Sequence, residues 1–202
     1  MVQPIPLDNK GTAFCGAFFL HLHKLVLSRY SWSMNAAATT SSFPSLPIDK
    51  NLPEAERLRL AADVSAQHFE HLLGFLSYLD SNSTAMVRRA WQFADQAHRN
   101  QWRSSGDPYI THPIAVAGIC ANWKLDAQAL SAALLHDAME DCGITKDDLR
   151  QQFDETVAEL VDGLTKLDKL HFNSREENQA ESFRKMLLAM ARDVRVILVK
   201  LA

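Results

Sequence analysis

The sequence predicts an all-α protein, and three observations carry that prediction. Apolar residues recur at three- and four-residue spacing through most of the chain beyond residue 54. Helix punctuation stands where those stretches begin and end: Asp80 before one run, Thr145 with Asp148 three residues on before another, Gly143 after a third. No segment alternates apolar and polar side chains for a convincing length, so strands are not expected.

Each element follows from its own residues. Leu58, Ala61, Ser65, Phe69, Leu72, Leu76 and Leu79 form one stripe and predict a first helix. Asp80-Ser81-Asn82-Ser83 ends it and offers the next an N-cap. Residues 84–99 predict a second amphipathic helix with Val87, Ala90, Trp91, Ala94 and Ala97 facing inward. Gly106 and Pro108 make 100–111 a loop, and Pro113 suits the first turn of a third helix, where its missing N–H costs nothing. Residues 126–141 predict a fourth helix, with Ala129, Leu130, Ala133 and Leu134 apolar and Gly143 as its stop. Thr145 opens a fifth, with Asp148 as a variant capping box. Residues 154–170 and 174–202 supply further helices, the last ending in the apolar run Val194–Leu201.

A length of 202 residues suits one domain plus an extension, and 47% hydrophobic content supports a sizeable core. A net charge of −3 and a pI near 6.2 argue against a dedicated nucleic-acid binder. A local basic pocket for a small anion is compatible with both. Cys15, Cys120 and Cys142 are odd in number and far apart, with no CxxC pair, so a reducing cytoplasm is the simpler setting. No segment reaches the roughly 18 uninterrupted apolar residues of a membrane span, and no membrane association is expected. Residues 13–22 come nearest, and with Ala36–Ala38 behind them they leave a signal peptide as the less favoured alternative. The preferred division is a disordered leader and linker over 1–53, rich in Pro, Ser and Thr, and a helical domain over 54–202. Met34 offers an alternative start, with residues 1–33 upstream of it.

Two places depart from what packing alone selects. Arg103-Ser104-Ser105-Gly106-Asp107-Pro108-Tyr109-Ile110-Thr111-His112-Pro113 joins a rigid turn to a guanidinium, two hydroxyls, an aromatic ring and a histidine at a helix start. Arg103 there could stack on a base or fork onto a phosphate, or simply be solvated. His136-Asp137-Ala138-Met139-Glu140-Asp141, read on one helix, crowds three carboxylates and an imidazole together. A divalent cation would compensate them, and a set of His and carboxylate suits Zn²⁺, Mn²⁺ or Fe. An exposed acidic helix end is the plain alternative. Jointly the two places offer His112, His136 and Asp137 as three ligands from two elements, with Glu140 and Asp141 left to activate water.

The pattern resembles HD-type phosphohydrolases, and within them the hydrolase domain of the RelA/SpoT family. The runs WRSSGDPYITHPIAVA (102–117), AALLHDAMEDCGIT (132–145), VAELVDGLTKLDKL (157–170) and FRKMLLAMARDVRVILVKLA (183–202) carry the resemblance, over about two thirds of the chain. The Arg-Ser-Ser-Gly loop is closer to SpoT-like members than to those with Arg-Lys-Ser-Gly. The resemblance implies an HD-type helical bundle that removes pyrophosphate from the 3′ position of guanosine tetra- and pentaphosphate, a small-molecule partner, to give GDP or GTP.

The resemblance further implies Mn²⁺ held by His112, His136 and Asp137, and water positioned or deprotonated by Glu140 and Asp141. Arg103 would pack on the guanine and Ser105 line its pocket. Ser104 stands where some members have Lys, which puts a cationic contact there in doubt. In the family the run Val-Lys-Leu-Ala continues as Asp-Arg-x-His-Asn, whose Asp completes the metal site. The chain as given ends at Ala202, so the expectation is a fragment of a longer enzyme carrying synthetase and regulatory domains. Two rivals stand beside this: an HD phosphohydrolase of another nucleotide, which the Arg103 loop argues against, and a catalytically inactive helical regulatory fragment. Elsewhere, His68 and His71 are expected on a solvated or half-buried face, His98 fits either a substrate contact or a helix end, and Trp91, Trp102 and Trp123 are expected as core or pocket-wall residues. The cations at 184, 185, 192 and 195 are expected on a solvated face.

Overall fold

Residues 127–135, AQALSAALL, carry small or apolar side chains at every position but one, a pattern that fits a helix enclosed on all sides. In the computed structural model, which describes residues 47–168 and 192–202, eight of those nine residues are buried and only Gln128 is not. This helix is α4 (Ala127–Leu135), and the other elements are arranged around it. They are α1 (Glu54–Gly74), α2 (Ser81–Ala97), α3 (Thr111–Asn122), α5 (Ala138–Asp141), α6 (Lys146–Gln152), α7 (Glu155–Asp168) and α8 (Val194–Leu201). Helix α4 packs against α2, α3, α7 and α8, while α1 lies on α2 and α3, and α6 on α7. The described residues contain no strand, only an isolated bridge between Trp102 and Pro108, so the all-α expectation holds.

The caps at Asp80 and Thr145 behave as their sequence suggests, and the structure adds Asp126 as a third. Asp80 accepts from Ser83 N at 2.7 Å, Asp126 from Ala129 N at 2.8 Å, and Thr145 with Asp148 closes a reciprocal capping box. Trp91 reaches from α2 to α1, stacking on Phe69 at 4.3 Å and donating to Ser65 Oγ at 3.0 Å. Of the residues expected in the linker, Ile48 is buried, and a Cβ added to Gly106 would lie 3.3 Å from the Pro47 side chain. Gly106 also holds φ +93°, so both backbone shape and space select glycine there. The expected leader lies outside the described residues, as does the part of the last expected helix over 174–191.

Three expectations need correction. The first stripe does not form one helix to Leu79. Helix α1 ends at Gly74, and Phe75, Leu76 and Leu79 each bond a carbonyl three residues back, to Leu72, Leu73 and Leu76. Those tighter turns keep Leu76 buried with the three-residue spacing that had suggested continuing helix. The predicted fourth helix is broken after Leu135. His136 Nδ1 takes the Ala133 carbonyl at 2.9 Å, the acceptor that an unbroken helix gives to the Asp137 N–H. Arg195 is not on a solvated face. It pairs with Asp193 and reaches Asp126 Oδ2 at 2.6 Å, joining the start of α8 to the start of α4. At the other end, Lys200 in the last turn of α8 lies close enough to act on His136, which follows α4, so the two helices run in the same direction.

Replacing Leu130 with Ala opens space at the fully enclosed centre, and urea unfolding is expected to show a loss of about 2–5 kcal/mol. Gly163 lies where α7 meets α8, with a built Cβ only 3.0 Å from Val196 Cγ2. Gly163→Ala is expected to destabilise the protein by about 1 kcal/mol through overpacking. In a Val196→Ala background the same change is expected to stabilise it by about 0.5–1 kcal/mol, the ordinary helix preference for Ala. Equal effects in both backgrounds would show that the two helices do not meet at this point.

Candidate metal centre

The break after α4 sets the geometry of the site. An unbroken helix would place His136, Asp137, Glu140 and Asp141 along one end. Instead His136 and Asp137 sit in the two-residue interruption, with side chains 13% and 17% exposed, while Glu140 and Asp141 lie exposed on the short α5 that follows. From the other side, His112 enters in the first turn of α3, its N–H bonded to the Tyr109 carbonyl at 2.9 Å. One donor atom each from His112, His136 and Asp137 lies within 4.8 Å of the others, the single such cluster among the described residues. Asp137 Oδ2 is 3.0 Å from His136 Nε2 and 3.8 Å from His112 Nε2. The imidazole rings meet edge to face, 5.1 Å apart.

This donor set fits a divalent cation. The Ala133 carbonyl can only accept, so His136 Nδ1 carries a hydrogen and Nε2 is the atom aimed at the Asp137 carboxylate. Two lone pairs facing each other at that distance need a proton or a metal between them. Burial alone would push the His136 pKa down, but the hydrogen bond and charge of Asp137 outweigh it and the pKa is raised. Burial likewise works against the Asp137 carboxylate, yet the hydrogen bonds from His136 and Tyr109 and the charge of His136 hold its pKa at about 2. His112 goes the other way, lowered by burial first and then by the charge of His136, with Arg103 and Lys200 adding to it. The His136 and Asp137 shifts share one cause, the closeness of His136 Nε2 to the Asp137 carboxylate, which favours positive charge at that point. Two imidazoles and a carboxylate are a donor set for Mn²⁺, Fe or Zn²⁺.

The Arg103 loop forms the rim. Arg103 N and O close a tight turn with Asp107 O and Gly106 N, both at 2.9 Å, and its side chain is exposed. Ser105 is also exposed, and its hydroxyl donates to Asp107 Oδ2 at 2.7 Å. Because α8 runs alongside α4, Lys200 in its last turn lies on the His136 side, near enough for its charge to act on both imidazoles. The structure brings together the three expected ligands, with Arg103 and Lys200 as cations beside them.

The sequence reading passed over Tyr109, whose hydroxyl donates to Asp137 Oδ2 at 2.6 Å. Burial and then the Asp137 hydrogen bond, with Asp141 adding, raise the phenol pKa far above its ordinary value, so it remains a donor. The signal was present, a hydroxyl-bearing ring three residues before a helix-start histidine, but only the fold reveals what it touches. His98 caps the end of α2, the helix-end place that was one of its two expected roles. It is 2% exposed, bonded to Gln101 Oε1 at 2.7 Å and close to Cys142 Sγ at 3.3 Å. His68 bonds the Val64 carbonyl within its own helix.

Residues 90–202 match the HD domain family. The guanosine-3′,5′-bis(diphosphate) 3′-pyrophosphohydrolase of Vibrio cholerae is 57% identical over 125 residues, 62% of this chain and 18% of that protein. The bifunctional (p)ppGpp synthase/hydrolase SpoT of Escherichia coli is 55% identical over 126 residues, again 62% and 18%. A probable GTP pyrophosphokinase of Mycobacterium leprae is 52% identical over 118 residues, 58% of this chain and 15% of that protein. The chain spans less than a fifth of the length of these relatives. With more than half of its residues matched, and with these relatives, the chain belongs to the HD domain family, as an HD domain of the RelA/SpoT type.

Proposed function

We propose that the domain over 54–202 hydrolyses guanosine 3′,5′-bis(diphosphate) and its pentaphosphate counterpart to GDP or GTP and pyrophosphate, in the cytoplasm, using Mn²⁺. The observation that carries this is the convergence of His112, His136 and Asp137 next to the exposed Glu140–Asp141 pair and under the Arg103 loop. It is supported by relatives of 55–59% identity whose names state that activity. In the longer relatives the domain would work beside a synthetase, in keeping with the pyrophosphokinase names.

A divalent ion held by the triad would supply positive charge to the phosphate oxygens and make water easier to deprotonate. His112, His136 and Asp137 orient that ion. Glu140 or Asp141, on the solvent side of the interruption, takes the proton of the attacking water. Arg103 lies over the guanine with Ser105 beside it, and Arg103 and Lys200 give the rim the charge that a substrate rich in phosphate requires.

Calorimetric Mn²⁺ titration and pyrophosphate release from the tetraphosphate test this reading. Asp137→Asn is expected to abolish Mn²⁺ binding. Glu140→Gln and Asp141→Asn are each expected to keep it, and the one that removes the base is expected to lower turnover about 10²-fold or more. Unchanged turnover in both amide variants would exclude them from water activation. Mn²⁺ binding that survives loss of Asp137 would remove the metal centre from this place.

A further inference from the structure

Tyr109 belongs neither to the three ligands nor to the acidic pair, yet it touches the site from several directions. Its hydroxyl donates to Asp137 Oδ2 at 2.6 Å, the oxygen that faces both imidazoles. Its carbonyl accepts the His112 N–H at 2.9 Å, and its own N–H donates to the Gln101 carbonyl at 3.0 Å. Its ring stacks on His98 with centroids 4.8 Å apart and planes 28° from parallel. His98 is itself enclosed and tied to Gln101, whose amide donates to the Asp141 carbonyl at 3.1 Å. The ring is therefore held on both its face and its backbone, and the hydroxyl is a fixed point rather than a swinging donor.

We propose that Tyr109 is a positioning residue of the metal centre: its hydroxyl occupies one lone-pair direction of Asp137 Oδ2 and holds the carboxylate turned toward the metal position between His112 and His136. The inference rests on the metal reading above and extends it to a residue outside the ligand set. Without the hydroxyl, Asp137 is free to swing fully onto His136, and the resulting ion pair competes with a cation for the same atoms. Donors behind ligating groups commonly contribute 10–100-fold in metal affinity, because they fix an orientation that the metal would otherwise have to impose.

Tyr109→Phe tests the hydroxyl alone, since the ring and its stacking on His98 remain. In the whole chain, calorimetric Mn²⁺ affinity is expected to fall about 10–100-fold. The thermal midpoint in EDTA is expected to shift by no more than about 4 °C, as for a single lost hydrogen bond. Mn²⁺ addition to the unaltered chain should also perturb the tyrosine absorption band, and that difference should vanish in Tyr109→Phe. If hydrolysis is followed, the Mn²⁺ concentration for half-maximal rate should rise while the maximal rate at saturating Mn²⁺ holds. An unchanged Mn²⁺ affinity in Tyr109→Phe, with or without lost turnover, would overturn the inference and leave the triad intact. Failure of the unaltered chain to bind Mn²⁺, or binding indifferent to His112→Ala, would instead overturn the metal reading itself.

Discussion

The enclosure of α4 is the constraint on which the rest depends. A nine-residue helix is too short to be stable by its own hydrogen bonds, so α4 exists because α2, α3, α7 and α8 close around it. Its composition makes that possible: Ala127, Ala129, Ala132 and Ala133 let neighbours approach closely, and Leu130, Leu134 and Leu135 fill the spaces between them. A helix held on every side gives its last residue a fixed direction. His136 and Asp137 follow at once, and the precision of the site is the precision of that packing.

The second constraint is electrostatic. Three half-buried groups meet within hydrogen-bonding or near hydrogen-bonding distance, and burial penalises each charged form. The arrangement is tolerable because Asp137 collects several donors at once, from His136 and Tyr109, with His112 nearby. Donors gathered around one carboxylate and cations near one imidazole mark this cluster as a candidate functional site. The ion pairs on the outside do a different job. Lys146 with Glu159 and Asp162, and Arg150 with Glu155, fasten α6 to α7, while Arg150 also pairs with Asp147 within α6; at the surface such pairs contribute little individually.

Arg195 shows how a distant contact reaches the site. By joining Asp193 to Asp126 it aligns α8 with α4, and that alignment carries Lys200 to the end where the imidazoles lie. Read as a charge on an amphipathic helix, Arg195 looked like solvent decoration. Its partner is 69 positions away in the chain, beyond any local pattern.

The sequence by itself pointed to the helical class, the caps at Asp80 and Thr145, and the three residues that the fold gathers as a candidate metal centre. Each of these is local: apolar spacing, a capping side chain, or a short run of unusual composition states its own physics. Tertiary structure decided the rest. The apolar stripe continued through 126–141, but the helix is interrupted at His136 and Asp137, where the imidazole holds the Ala133 carbonyl, and this separates the half-buried His136–Asp137 pair from the exposed Glu140–Asp141 pair. Nothing in the spacing of Leu76 and Leu79 distinguished a helix from tighter turns, because three-residue recurrence suits both. The link from Tyr109 to Asp137 spans 28 positions and exists only because α3 and α4 pack together, which no periodicity encodes.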